Sequence, residues 1–272
     1  MEYVLLVLVG FLAGTIGSLV GLGGGIIIVP SLLFLGAIHF LPDVSPQVAV
    51  GTSLVVIIFN GLSSTLSYMK ERMVDYQSGW LFFIGSGPGA MLGAWTNQML
   101  SLKHFSLYFG LFLVFVSFLL MLTKRSTHLP KQKHFVVTRT YITNEGETVI
   151  YGYHPAIAIA IAFAVGFFGG LFGIGGGSLM VPAMILLFFF PPHVAVATSM
   201  FMIFVSSVVS SITHIVLGNV EWLFAIALIP GIWIGAKIGA WMNKKLKSQT
   251  LVLMLRLVLI LLGVRLIIQG IS

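Results

Sequence analysis

The chain has 272 residues, 58% of them hydrophobic and only 8% charged, with a mean hydropathy of +1.09. A soluble domain of this size needs far more charge on its surface, so composition excludes the soluble classes and points to a helical protein that spans the bilayer several times. Cysteine is absent, which removes disulfides, thiol catalysis and thiolate metal sites, and the net charge of +7 lies between or near the apolar runs, as topology-setting charge rather than a nucleic-acid surface.

In chain order, the apolar runs predict helices at about 3–20, 26–40, 48–69, 79–98 and 105–122. The second half predicts them at about 155–172, 178–190, 194–217, 222–242 and 250–270. Glu2 stands where a signal peptide would carry Lys or Arg, so no cleaved signal is expected. The long polar stretch is 123–153. Its segment HFVVTRTYITNEGETVIYGY, rich in Val, Thr, Tyr and Ile around Asn144-Glu145-Gly146-Glu147, reads as a small β-hairpin outside the membrane. The chain therefore divides into a first transmembrane repeat (1–122), a polar loop (123–153) and a second transmembrane repeat (154–272).

The two halves match. GLGGGIIIVP at 21–30 returns as GIGGGSLMVP at 173–182, with Gly14 answering to Gly166 and Gly17 to Gly169. VAVGTS at 48–53 returns as VAVATS at 194–199, and Val74-Asp75 as Val220-Glu221. Gly89, Gly93, Ala94, Trp95 and Asn97 then answer to Gly235, Gly239, Ala240, Trp241 and Asn243. The second half is six residues shorter between its Pro and its Val-Ala-Val. Internal duplication of this kind marks secondary transporters, whose repeats are parallel or inverted.

Loop charge chooses between those arrangements, because cytoplasmic loops carry the excess of Lys and Arg. If each Gly-interrupted segment enters and leaves on one side, three basic groups share one face. They are Lys70 with Arg72, the loop cations Lys124, Arg125, Lys131, Lys133 and Arg139, and Lys244, Lys245 and Lys247. The opposite face receives 41–47, 99–104 and 218–221, with Lys103 alone. If each interrupted segment crossed once instead, the Lys244–Lys247 cluster would lie opposite the central loop. The hairpin arrangement is therefore expected: an all-α integral membrane protein of two inverted-topology repeats, each a Gly-interrupted helical hairpin followed by about three transmembrane helices. Both termini would be exterior and loop 123–153 cytoplasmic.

Four glycines within 21–25 cost roughly 1 kcal/mol each relative to Ala in a helix, so a turn is expected there. A new helix then begins with its free N–H groups aimed at the turn, and a helix N-terminus attracts anions. Gly23, Gly24, Gly25 and Ile26, with Gly175, Gly176, Gly177 and Ser178, would face each other near mid-membrane and suit a small anion. Close helix packing is the plainer role for any single glycine. The doubled, matched pattern favours the broken helix.

A GxGGG stretch with a downstream Pro, then a VAxxTS helix, occurring twice in a membrane protein, resembles the TauE/SafE family of sulfite exporters. The resemblance covers about 10–100 and 160–245. It implies transport of a small sulfur oxyanion or sulfonate, such as sulfite, thiosulfate, sulfoacetate or a related compound; the residues alone ask only for an anion-sized polar ligand.

Thr52 and Ser53, with Thr198 and Ser199, fall early in the next helix of each repeat. Their hydroxyls could donate to an oxyanion, or bond their own i−4 carbonyls. Asn60 and Ser206, about two turns deeper, could line the same cavity. Lys237 could snorkel, supply charge for the anion, or act as a proton-linked switch. Arg256 could snorkel or pair with a carbonyl. His214 could couple transport to protons or be a satisfied interfacial histidine. Gly85, Gly89 and Gly93, like Gly231, Gly235 and Gly239, form packing ridges. Trp95 and Trp241 read as interface anchors, and Asp75 and Glu221 as caps or gate elements. No motif calls for a cofactor, a metal or nucleotide hydrolysis, and oligomeric state is not legible. A carrier leads, an anion channel lined by the same turns follows, and an intramembrane protease lacks the paired Asp or the Ser–His context it needs.

Overall fold

The described residues form ten helices and two strands. In chain order they are α1 (Glu2–Val20), α2 (Gly25–Ala37), α3 (Pro46–Lys70), α4 (Tyr76–Asn97), α5 (Leu102–Met121), β1 (Val137–Ile142) and β2 (Thr148–Tyr153). Then follow α6 (Pro155–Phe172), α7 (Met180–Leu187), α8 (Pro192–Val216), α9 (Trp222–Lys245) and α10 (Ser248–Ile271). The computed structural model describes residues 2–121, 135–142, 148–177 and 179–271. Ser178, the Asn144–Glu147 turn and the loop cations Lys124, Arg125, Lys131 and Lys133 lie outside the described residues. Six helices, α1, α3, α6, α8, α9 and α10, are long and apolar enough to cross a membrane.

Local chemistry starts the helices where they start. Pro46, Pro155 and Pro192 open theirs, where a missing N–H leaves no bond unmade. Asp75 caps α4 by accepting from Ser78 N–H at 3.0 Å, and Glu221 caps α9 by accepting from Leu223 N–H at 3.4 Å. The expected helix at 178–190 is shorter than read from the sequence: α7 has 8 residues against 13 in α2. The residues missing before Val194 leave no chain for the extra turn. Phe189, at φ 59, closes the helix, with Phe190 N–H bonded to the Met184 carbonyl at 3.0 Å.

Glycine ridges set the helix pairs. Gly231, Gly235 and Gly239 of α9 lie against the Val7, Phe11 and Thr15 carbonyls of α1, so these helices run parallel. Gly85, Gly89 and Gly93 of α4 lie in the same way against Ile159, Phe163 and Phe167 of α6. The central pair runs antiparallel, since Gly51 of α3 meets His214 of α8 while Gly61 meets Phe204. α5 and α10 are also antiparallel, with Gly110 on Gly263 and Gly270 on Leu107. Exchanging each helix for its counterpart in the other half turns α1–α9 into α6–α4 and α3–α9 into α8–α4, and leaves α3–α8 and α5–α10 unchanged.

Two faces follow from these directions. One carries both ends of the chain and the loops 38–45, 98–101 and 217–221; it is called the terminal face here. The other carries Lys70, Arg72, Lys244, Lys245 and Lys247, with Lys244 paired to Glu71 at 2.7 Å; it is called the lysine face. The hairpin β1–β2, in register from Val137↔Tyr153 to Ile142↔Thr148, docks on the lysine face. Tyr151 OH donates to Asp75 Oδ2 at 3.1 Å, Tyr153 OH to Ser78 Oγ at 2.8 Å, and Gly152 N–H to the Phe188 carbonyl at 3.1 Å. Burial first, and the Asp75 carboxylate second, push the Tyr151 phenol up from its ordinary value.

Candidate functional site

Both glycine stretches are turns. Gly21, Gly23 and Gly24 have φ of 79°, 72° and 82°, and Gly173 and Gly175 have 71° and 81°. Side chains with a Cβ are strained in that left-handed region, which is why glycine stands there. α1 ends with Leu22 N–H on the Gly17 carbonyl at 2.8 Å, and α6 ends with Ile174 N–H on that of Gly169 at 3.0 Å. Beyond each end the donors go unused. Among the described residues, the N–H groups of Gly23, Gly24, Gly25 and Ile26 form no hydrogen bond, nor do those of Gly175, Gly176 and Gly177. α2 begins at Gly25 with no side-chain cap, so its positive end is bare toward the turn.

The turns meet in the middle of the bundle. Gly25 lies against the Gly173 carbonyl, and a Cβ at Gly23 would stand 3.2 Å from that of Ile174. Ile203 touches both turns, 3.1 Å from where a Cβ would stand at Gly23 and at Gly175. Its counterpart Ile57 reaches Gly25 and Gly175. Both isoleucines are fully buried beside the junction of the turns. The Asn60 side chain lies beside Gly24, with its Nδ2 buried and unpartnered.

Each turn is tied to a helix of the other half. Ser53 Oγ donates to the Gly173 carbonyl at 2.5 Å, and Ser199 Oγ to that of Gly21 at 2.7 Å. Thr52 Oγ1 accepts from Glu221 N–H at 2.9 Å, and Thr198 Oγ1 from Asp75 N–H at 3.0 Å. Asn97 Nδ2 donates to the Leu171 carbonyl at 2.8 Å, and Asn243 Nδ2 to that of Leu19 at 2.7 Å. Ser53 and Ser199 thus commit their protons to the turns rather than to their own i−4 carbonyls, and hold the turns in place.

The remaining sequence candidates divide. Ser206 faces Gly176, its hydroxyl 3.0 Å from where a Cβ would stand. His214 is buried near the far end of α8, with Nδ1 3.4 Å from Asn219 Nδ2. Lys237 is away from the turns, lining with Lys70, Ser63, Ser67, Leu66 and Trp233 a cleft of about 400 Å³ between α3 and α9. Its Nζ sits 5.6 Å from the Trp233 ring centre. Arg256 is on α10, where its carbonyl accepts from Ser117 Oγ at 3.3 Å. The residues that sequence reading passed over are Ile57, Ile203, Asn97 and Asn243 as parts of the site. Their signal was present in the repeat alignment, which pairs Ile57 with Ile203 and Asn97 with Asn243.

Comparison with known proteins agrees with a helical membrane protein. The family model for the sulfite exporter TauE/SafE matches residues 6–266. The chain belongs to the TauE/SafE family. It is 56% identical to the probable membrane transporter protein YunE of Bacillus subtilis, over 100% of this chain and 99% of that one. It is 28% identical to the probable membrane transporter protein MJ0441 of Methanocaldococcus jannaschii, over 95% and 93% of the two chains. It is 27% identical to a probable membrane transporter protein of Xylella fastidiosa, over 89% and 84%. No solved structure matches. This TauE/SafE protein is a multi-pass membrane transporter, and the matched span contains both turns and every bond that ties them across the halves.

Proposed function

We propose that the protein is a secondary transporter of a small sulfur-containing anion: sulfite, thiosulfate, sulfoacetate or a related organosulfonate. Two inverted halves alternate access to one site between the glycine turns. The observation that carries this reading is the meeting of two turns whose backbone donors are unpaired at membrane depth, where an unmet N–H costs several kcal/mol. Neutral donors and one bare helix end favour an anion without a fixed countercharge. The antiparallel α3 and α8 and the exchange symmetry of the helix pairs support inversion. The name of the family supports a sulfur anion as the substrate, and the printed names of the relatives support membrane transport.

Ile57 and Ile203 close the centre in this arrangement, so an anion enters only when the turns part from one half or the other. The lysine face is cytoplasmic by the positive-inside rule and the termini are exterior. Outward movement of an anion then gains about 2.3 kcal/mol per charge per 100 mV of inside-negative potential. The test is uptake of labelled sulfite, thiosulfate, sulfoacetate and sulfate into proteoliposomes, with and without a pH gradient. Flux accelerated by unlabelled anion on the opposite side is expected; flux without such counterflow would make the protein a channel, and no flux of any sulfur anion would sink the reading. Asn60→Asp is the sharper variant. It keeps the oxygen that accepts from Ser18 but removes the donor beside Gly24, and should cut anion uptake at least about tenfold, the loss of roughly 1.4 kcal/mol.

A further inference from the structure

Repeat one closes a hydrogen-bonded hub within its inner polar stripe, leaving Thr65 Oγ1 unpartnered, and repeat two lacks that hub. The alignment pairs Ser18 with Gly170, Asn60 with Ser206, Ser64 with Ser210 and Tyr68 with His214. In repeat one, Ser18 Oγ donates to Asn60 Oδ1 at 2.9 Å and lies 2.5 Å from Ser64 Oγ. Tyr68 OH closes the group on the Ser18 carbonyl at 2.7 Å. Ser18 is the hub of that network. Repeat two has no hub, because Gly170 lies against the Ala90 carbonyl and leaves no room for a side chain. His214 is near the Gly170 carbonyl, as Tyr68 is near that of Ser18, without closing a hydrogen bond.

Repeat two holds three orphaned hydroxyls on this stripe, of which only Ser210 has a hub-bonded counterpart, Ser64. Ser207, Ser210 and Ser211 are buried, and their Oγ atoms have no partner among the described residues. Other helical hydroxyls here, those of Thr15, Ser67, Thr96 and Thr213, bond the carbonyl four residues back. These three do not. Spacings of three and four put Ser207, Ser210, Ser211 and His214 on one stripe of α8. The stripe starts at the second turn, where Ser207 Oγ is 3.0 Å from the position of a Cβ at Gly175. It ends beside Asn219, toward the terminal face. The described acidic residues, Glu2, Asp43, Glu71, Asp75 and Glu221, lie at helix ends or in loops, so among the described residues no carboxylate within the bundle repels an anion there.

We propose that the orphaned stripe Ser207–Ser210–Ser211–His214 is the half-path by which a small oxyanion moves between the glycine turns and the terminal face, while the Ser18 hub keeps the matching half-path to the lysine face shut. The proposal rests on the transporter reading and places its substrate off the axis of symmetry, in repeat two. Hydroxyl donors without a fixed charge bind an oxyanion and release it again, which passage requires.

Because the chain has no cysteine, Ser210→Cys and Ser64→Cys each introduce a single thiol. A negatively charged, membrane-impermeant methanethiosulfonate applied to the terminal face should modify Ser210→Cys at least about ten times faster than Ser64→Cys, a free-energy difference of roughly 1.4 kcal/mol. The double variant Ser207→Ala/Ser210→Ala removes only orphaned groups, so it should keep its Tm while its KM for the transported anion rises about tenfold. Equal modification of the two thiols, or a wild-type KM in the double variant, overturns the half-path. Normal wild-type flux beside an inert Ser210→Cys would defeat the half-path alone, whereas absence of flux for every sulfur anion would defeat the transporter reading with it.

Discussion

The Ser53 hydroxyl holds the Gly173 carbonyl at 2.5 Å across 120 residues of chain, and Ser199 does the same for Gly21 across 178. Each turn is tied to the opposite half as well as to its own. Ser53→Ala and Ser199→Ala each leave a buried carbonyl unpaired and should cost about 1–3 kcal/mol. The measurement is Tm in detergent or nanodiscs. An unchanged Tm in both variants would mean that packing alone fixes the turns.

Asn97 and Asn243 grip the last turn of α6 and α1 through side-chain N–H groups. Asn97→Asp replaces a donor with an oxygen facing the Leu171 carbonyl. It should destabilise more than Asn97→Ala, whose cost is about 1–3 kcal/mol. The order of the two Tm values decides the point; a more stable Asp variant would contradict the assigned bond.

Ile57 and Ile203 pack beside the junction of the two turns. Trimming either to Ala should open a leak, with anion flux that no longer accelerates when the opposite side is loaded with anion. The fold should lose roughly 2–5 kcal/mol, the usual cost of truncating a buried Ile. Counterflow in proteoliposomes reads the leak, and full retention of exchange would show that the isoleucines are core and not plug.

Lys70 and Lys237 flank the cleft on the lysine face. Their charges should collect anions from that side, so Lys70→Gln/Lys237→Gln should raise KM several-fold, with kcat unchanged. Screening predicts that the difference shrinks above about 0.15 M salt, where the Debye length is about 8 Å. A salt-independent defect would point to packing against Trp233 instead.

Tyr151 ties the hairpin to Asp75. Its folded pKa is raised above the ordinary 10.0, so its contribution to docking is complete below pH 10 and is lost as pH rises through the folded value. Hairpin protection against proteolysis should therefore be flat from neutral pH to about 10 for this group. Tyr151→Phe should loosen the hairpin by about 0.5–1.5 kcal/mol, seen as faster cleavage within it at neutral pH.

The glycine turns were legible because left-handed φ leaves a signature that survives duplication: glycine at 21, 23 and 24 and again at 173 and 175. The packing ridges were legible for the same reason, since only glycine lets a helix rest on a neighbour's carbonyl. What holds the turns was not. A serine at 53 carries no mark saying that its partner is a carbonyl 120 residues away. The shortness of α7 was written in the missing residues before Val194, but how a helix absorbs a deletion depends on where the next one is anchored. Nothing in the sequence sets Gly170 apart from the other small residues of its helix. Only its place opposite Ser18 gives its missing side chain a meaning.

The reciprocal ties between Ser53 and Gly173, and between Ser199 and Gly21, have a consequence for ancestry. Two copies of one half-length chain, inserted in opposite orientations, would make the same bond twice across a two-fold axis. Fusion of two such copies through a polar linker leaves every tie in place. It also frees one copy to lose a hub such as Ser18 while the other keeps it, a divergence that identical subunits can never make.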